Sequence, residues 1–236
     1  MSNETLSERV LYNNKISEEW LELVDNAPEF NRFDLTNISA LLVAPCDLGT
    51  LVIRDGQPSL SKKNTLKTLD SFFKTHRFFD YSLTKRCFKS IKEFPSYKVP
   101  FVNWHYALFP LERPKNCMWL NPLDIYDLKT INGRCFAELS NGLVLETPTQ
   151  MRSIIDQAEK AIYVLCYLRR EYSLTDHYNG DPLDYVQLPQ TPFLKSIRNR
   201  SLLQHWVTER GVFHQRYLHE SLLQYSSKYL DTADVL

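Results

Sequence analysis

Glycine is scarce in this 236-residue sequence, which contains only six. No glycine-rich phosphate-binding loop (GxxxxGK[ST] or GxGxxG) is present, and the metalloprotease motif HExxH and the hydrolase motif GxSxG are also missing. No apolar run is long enough to cross a bilayer, and the first residues lack the pattern of a secretory signal. We therefore expect a protein without enzymatic activity, cofactor or membrane partner.

Cysteine is also sparse, and its spacing excludes the usual structural roles. The chain has five cysteines and no CxxC pair, which argues against a disulfide framework or a zinc site. Buried free thiols in a reducing, cytoplasmic environment are the simpler interpretation. Two nucleophile–base pairs can be imagined, Cys117 with His105 and Cys87 with His76, but isolated residues of these types usually serve packing. The cysteines are Cys46, Cys87, Cys117, Cys135 and Cys166.

The chain has no excess of either charge, because 28 basic residues balance 28 acidic ones. The balance nevertheless hides a strong asymmetry. Residues 1–60 carry a net charge of −6, and residues 120–236 carry −2. Residues 61–119 hold twelve basic and four acidic residues, a net charge of +8, interleaved with aromatic residues. Such a segment is typical of a polyanion-binding surface, although a solvated basic face or a protein-binding face remains an alternative.

Patterns of apolar and turn residues indicate short strands in the first two thirds of the chain. Residues 1–36 form an acidic segment with one helix, capped by Ser17 and stopped by Pro28. We predict a helix from Ser71 to Phe79 and a hairpin at Ser140-Asn141-Gly142, where Asn-Gly suits a tight two-residue turn. The predicted strands are 38–44, 50–54, 65–69, 98–104, 106–109, 117–120, 123–130 and 134–145.

The clearest helix follows this β-rich part. Thr147 is a candidate N-cap and Pro148 a candidate first helical residue, and an apolar stripe then recurs every three or four residues to about Tyr172. This helix is expected to pack on the sheet, with DNA contact by its basic residues as the alternative. Further helical segments run from Thr191-Pro192 to about Leu230, interrupted at Gly211.

Together these patterns predict an α+β fold. We expect a mixed or antiparallel sheet of short strands, one long amphipathic helix and additional C-terminal helices. The predicted organisation is an acidic helical extension (1–36), an α+β core (37–174), and a loop with a helical C-terminal region (175–236).

The order of the segments resembles the bacterial competence transcription factor family (ComK). The resemblance covers residues 38–172 and depends on order and spacing rather than on one motif. Its pieces are TLKTLD (65–70), SFF…RFFDYSLTKR (71–86), YKVPFV (97–102), YALFP (106–110), CMWLNPLDI (117–125), SNG (140–142) and a helix ending in YLRREY (167–172).

The resemblance implies an activator of DNA-uptake genes. Such a protein would bind AT-rich double-stranded DNA largely through the minor groove, as a homo-oligomer of one dimer or paired dimers. It further implies contact with RNA polymerase and, through the C-terminal region, with a protease adaptor. The apolar residues of that region also suit a dimer surface or coverage of the core.

Six cations of the basic segment are the candidate DNA-binding residues. Arg77 and Arg86 are the candidates for the groove, since a guanidinium suits a narrow, negative minor groove. The four lysines are candidate phosphate anchors. They are Lys74, Lys85, Lys89 and Lys92.

A regulatory protein-interaction module that has lost specific DNA binding is the alternative function. The family resembled has glycines after the paired phenylalanines, whereas this chain has none in FFDYSLTKR and carries Asp80 instead. Together with the neutral overall charge and the acidic first 36 residues, this departure favours the alternative. A third hypothesis is autoinhibition, in which the acidic residues 1–36 fold over the basic segment and inhibit DNA binding.

Overall fold

The computed structural model describes residues 6, 9–13, 15–172 and 180–233, with the side chains of 228–233 excepted. Its strands are β1 (Val10–Leu11), β2 (Ile38–Ala44), β3 (Gly49–Arg54), β4 (Gln57–Ser61), β5 (Phe101–Val102), β6 (Ala107–Pro110), β7 (Trp119–Leu120), β8 (Ile125–Ile131), β9 (Arg134–Leu139) and β10 (Val144–Thr147). Its α-helices are α1 (Glu18–Asn26), α2 (Thr65–Thr75), α3 (Tyr81–Lys89), α4 (Met151–Tyr172), α5 (Pro192–Ile197), α6 (Ser201–Gln204) and α7 (Val212–Ala233).

The strands form two sheets, and the predicted α+β class is confirmed. One sheet has four strands in the order β1-β10-β9-β8, and the other has six in the order β4-β3-β2-β7-β6-β5. All neighbours pair antiparallel except β1 and β10, which are parallel.

The six-stranded sheet is covered on both faces, which explains why β2 reads as a continuous apolar run. Ala40 and Leu42 belong to the main core, whereas Leu41 faces the other way into a second cluster beneath α2. That alternation follows from the two-residue period of a strand. In the second cluster, the α2 residues Phe72 and Phe73 are fully buried.

Helix α4 holds the main core together, and its predicted span is confirmed. It packs against β5 and β6 of one sheet and β8 of the other. The predicted cap is wrong. Thr147 is the last residue of β10, and its hydroxyl donates to the Cys135 carbonyl at 3.1 Å. The main core also takes up Trp20 and Phe213, so residues of all three predicted segments contribute to it.

The prediction of a strand at 65–69 followed by a helix at 71–79 is wrong. Helix α2 begins after Asn64, whose side chain accepts from the Lys67 amide at 2.9 Å. The 3.6-residue period of its buried residues runs through both predicted elements. The helix ends at Thr75, because Arg77 has a left-handed backbone with φ of 55°. A new helix, α3, follows Asp80, which caps the Leu83 amide at 3.0 Å.

The hairpin at Ser140-Asn141-Gly142 is confirmed, but its turn is not the predicted two-residue type. Strands β9 and β10 are joined by four residues, 140–143, of which only Gly142 has a positive φ. Tight two-residue turns occur instead at Asp55-Gly56, between β3 and β4, and at Asn132-Gly133, between β8 and β9. All four of these residues have positive φ, as such turns require.

The strand predicted at 98–104 is only Phe101–Val102, and the one predicted at 117–120 is only Trp119–Leu120. Several other predicted boundaries agree with the structure. Ser17 caps α1, and Thr191 caps α5, while Gly211 precedes α7 with φ of 91°. Strand β4 was not predicted. It contains Pro58, which is tolerated because β4 is an edge strand. Among the helices in the described ranges, none combines the length and apolar composition needed to span a membrane.

Candidate nucleic-acid interface

Helix α3 carries three of the six predicted DNA-binding residues, Lys85, Arg86 and Lys89. Leu83, Cys87 and Phe88 point into the core, which leaves the opposite face of the helix to solvent. Lys85 and Lys89 are exposed on that face, one helical turn apart. Lys92, three residues beyond Lys89, is exposed just after the helix ends. Within the described residues, none of these three lysines forms an ion pair, so their charges remain directed at solvent.

Arg77 lies in the turn between α2 and α3 and is also exposed. Its positive φ costs energy in any residue with a Cβ, and glycine is the residue that adopts it freely. Such strained positions cluster at functional sites. No described carboxylate pairs with Arg77, so its guanidinium is available to an anion.

Lys74 and Arg86 are the two candidates that already have partners. Lys74 pairs with Asp70 at 2.7 Å, and this hydrogen bond raises the pKa of the ammonium group. Arg86 is held by α7, because its Nε lies 2.7 Å from Glu220 Oε2 and its Nη2 lies 2.9 Å from Gln224 Oε1. A ligand phosphate would have to compete with these contacts.

The position of α7 explains why Arg86 is engaged. The Tyr217 hydroxyl accepts from the Asp80 amide at 2.8 Å, and Phe79 packs against Tyr217 and Phe213. These contacts seat α7 along α3. No ion pair among the described residues joins the acidic segment 1–36 to the six candidate cations. In that segment, Glu22 pairs with Arg9, and Asp34 pairs with Arg54 of β3.

The basic residues at the end of α4 serve the fold. Arg170 is buried, donates to the Thr208 carbonyl at 2.8 Å and lies 3.7 Å from the centre of the Trp206 ring. Arg169 donates to the carbonyls of Trp104 and His105, each at 2.7 Å. Burial lowers the pKa of both guanidinium groups. The alternative in which these arginines contact DNA is therefore disfavoured.

Neither of the imagined thiol nucleophiles has an activated environment. Burial raises the pKa of Cys87 and of Cys117 to about 11, whereas a reactive thiol needs a lowered pKa. In the parts of the chain that the structure describes, no group of three or more histidine, cysteine or acidic residues is arranged to hold a metal ion.

The structure groups three cations that sequence reasoning did not connect. Lys62 and Lys63 belong to the basic segment, and the structure brings them beside Arg32 from the acidic segment. The bridge between Glu29 and Leu60 and the contact of the Arg32 carbonyl with His76 place these distant residues together. No local sequence signal indicates that pairing.

Comparison with known proteins identified no relative of this chain. No protein-family model matches the chain, and neither the curated proteins nor the solved structures include a significant match.

Proposed function

We propose that this protein is a DNA-binding regulator of transcription that contacts the DNA backbone with the exposed lysines of α3. The observation that carries the proposal is the row of Lys85, Lys89 and Lys92, with Arg77 in the preceding turn. These four cations are exposed, and none has an ion-pair partner among the described residues. They come from the segment of net charge +8 in a chain of zero net charge.

The physical basis is the release of counterions from DNA when cations neutralise its phosphates. Lysines serve as point charges that anchor phosphates without reading sequence. Arg77 supplies a guanidinium suited to a narrow minor groove. The proposal therefore joins backbone anchoring by α3 to groove contact by the α2–α3 turn.

The finer part of the proposal is supported by the resemblance to the competence family. It assigns the protein to activation of DNA-uptake genes at AT-rich sites, as an oligomer in the cytoplasm. Contact with RNA polymerase and with a protease adaptor belongs to the same part of the proposal.

The test is fluorescence anisotropy on AT-rich and GC-rich duplexes of equal length, over 50 to 200 mM salt. Replacing Lys85, Lys89 and Lys92 by Gln is expected to weaken binding and to lower the slope of log K against log salt by about 0.9 per lost phosphate contact. Arg77→Gly removes the groove candidate while relieving the strained φ, and thermal unfolding checks that this variant keeps its fold.

A matched control removes three lysine charges outside the basic segment. Lys15, Lys129 and Lys195 are exposed and lie outside the basic segment, so their triple Gln variant should retain nearly all of the affinity and the salt slope. Equal losses in the two triple variants would contradict an interface on α3. Absence of binding to either duplex at 50 mM salt would reject DNA binding altogether.

A protein-interaction module is the second candidate function, and α7 favours it. Leu218, Leu222 and Tyr225 are 50%, 69% and 64% exposed, and their spacing of four and three residues places them on one helical face. Exposed apolar faces of this kind mark contacts with other proteins. Chemical crosslinking at increasing protein concentration, compared with Leu222→Asp, tests self-association through this face. A protein that crosslinks but binds neither duplex would support this second function.

A further inference from the structure

A cleft away from α3 lies between residues 29–33 and the junction of β4 with α2. Its volume is about 420 Å³, and we call it the Ser71 cleft after the hydroxyl on its wall. Three cations line it, Arg32, Lys62 and Lys63, against the single carboxylate of Glu29. Its formal charge is thus +2, in a protein of zero net charge.

Two of these cations converge on one uncharged atom. Arg32 Nη1 lies 3.1 Å from Ser71 Oγ, and Lys63 Nζ lies 3.2 Å from the same oxygen. Like charges held this close repel each other, and a hydroxyl does not neutralise them. Neither cation forms an ion pair with a described carboxylate. An anion placed beside Ser71 would satisfy both.

The backbone holds both sides of the cleft in place. The Lys63 carbonyl accepts from the Thr50 hydroxyl at 2.7 Å, and the Lys63 amide donates to Ser61 Oγ at 3.3 Å. On the other side, the Phe30 amide donates to the Leu60 carbonyl at 2.8 Å. The Arg32 carbonyl is 3.0 Å from His76 Nε2. The cations therefore approach a ligand from a fixed frame, which lowers the entropic cost of binding.

We propose that the Ser71 cleft binds the phosphate of a small aromatic or otherwise apolar phosphomonoester. A phosphomonoester is close to a dianion above pH 7, because its second pKa is about 6, and it matches the charge of the cleft. Arg32 and Lys63 would donate to its oxygens in charge-assisted hydrogen bonds. Phe30 and Phe33 on the lining provide apolar surface for the organic part of the ligand.

This inference does not depend on the DNA-binding proposal. A phosphodiester of DNA carries one negative charge per phosphate, so the cleft favours the monoester over the diester. The two proposals also use different residues, since none of the six candidate DNA-binding cations lines the cleft.

The experiment is isothermal titration calorimetry of the full chain at pH 8 with phenyl phosphate and with diphenyl phosphate. Phenyl phosphate is expected to bind at one site, at least tenfold more tightly than diphenyl phosphate. Arg32→Gln and Lys63→Gln should each weaken phenyl phosphate binding about tenfold, as expected for loss of one charge-assisted hydrogen bond. Lys67→Gln is the matched control, because Lys67 is exposed on α2 but does not line the cleft; its affinity should stay within about twofold.

Three results would overturn the proposal. They are no binding of phenyl phosphate, equal binding of the monoester and the diester, and an equal loss of affinity in Lys67→Gln. If Arg32→Gln and Lys63→Gln weaken duplex binding while phenyl phosphate does not bind, the cleft belongs to the DNA surface and the proposal is wrong. Thermal unfolding of each variant checks that the fold is retained.

Discussion

Asp124 is a carboxylate enclosed where β8 begins, beside the hairpin that joins β9 to β10. Its Oδ2 accepts from Asn37 Nδ2 at 2.8 Å and from Asn121 Nδ2 at 2.9 Å. Burial nevertheless raises the pKa of Asp124 above its ordinary value of 3.8, outweighing the hydrogen bonds that lower it. The folded state therefore favours the protonated form of this side chain more than the unfolded state does.

That raised pKa predicts how Asp124→Asn changes stability with pH. A group with a raised pKa in the folded state contributes stability that is fully present below the unfolded pKa and is lost as pH rises through the folded pKa. The wild type should thus lose stability relative to Asp124→Asn between about pH 3.5 and neutral pH. Urea unfolding of both proteins at several pH values measures this difference. A gain in the stability of the wild type relative to Asp124→Asn as pH rises would show that the pKa of Asp124 is lowered instead.

At the scale of elements, the hairpin of β2 and β3 depends on a close approach that only glycine permits. Gly49 has φ of +112°, and a Cβ placed there would lie 2.1 Å from the Ser61 carbonyl oxygen of β4. Gly133, in the turn between β8 and β9, also has a positive φ of +77°, but a Cβ there would meet nothing within 4 Å. The two positions therefore separate steric overlap from backbone strain.

Gly49→Ala is expected to destabilise the protein by about 3 kcal/mol or more, since strain and overlap with the β4 backbone add together. Gly133→Ala carries only the strain and should cost about 1 kcal/mol. Urea unfolding followed by circular dichroism compares the two variants. Similar costs at both positions would mean that β4 moves away from residue 49 without resistance.

The helical elements show where sequence patterns succeed and where they fail. The apolar stripe of α4 extends over six turns, so its span was predictable. In contrast, five residues at 65–69 fit both an alternating and a helical pattern. The helix is favoured because it buries Phe72 and Phe73 against the six-stranded sheet. The local sequence pattern does not indicate that this helix and this sheet pack together.

At the scale of the whole molecule, the core encloses four of the five cysteines. Cys46 is exposed, in the turn after β2, whereas Cys87, Cys117, Cys135 and Cys166 are buried. Burial also raises the pKa of all four buried thiols. A thiol with a raised pKa provides less of the reactive thiolate at a given pH.

A thiol reagent such as DTNB at pH 8 is therefore expected to label one cysteine rapidly in the native protein and all five after denaturation. Cys46→Ser should abolish the rapid phase and leave the slow labelling unchanged. Rapid labelling of two or more thiols in the native wild type would contradict the burial of these four cysteines. Mass spectrometry after each time point identifies the modified residues.

The part of the candidate interface that depends on local sequence was predictable. A segment with net charge +8 is a property of composition, and the helical period places Lys85 and Lys89 on one face. The engagement of Arg86 by Glu220 and Gln224 was not predictable, because those residues are more than 130 positions away in the chain. The same reasoning applies to Arg32 and Lys63, which meet across the Glu29–Leu60 bridge.

Residues close together along the chain were enough to predict the α+β class, strand β2, helix α4, the caps of α1 and α5, and the charge asymmetry. The tertiary structure alone decided which cations face solvent, which are held by α7 or by backbone carbonyls, and which converge on Ser71. Local periodicity and capping act over a few residues. Pairing between distant segments depends instead on the surfaces that the packed elements bury together.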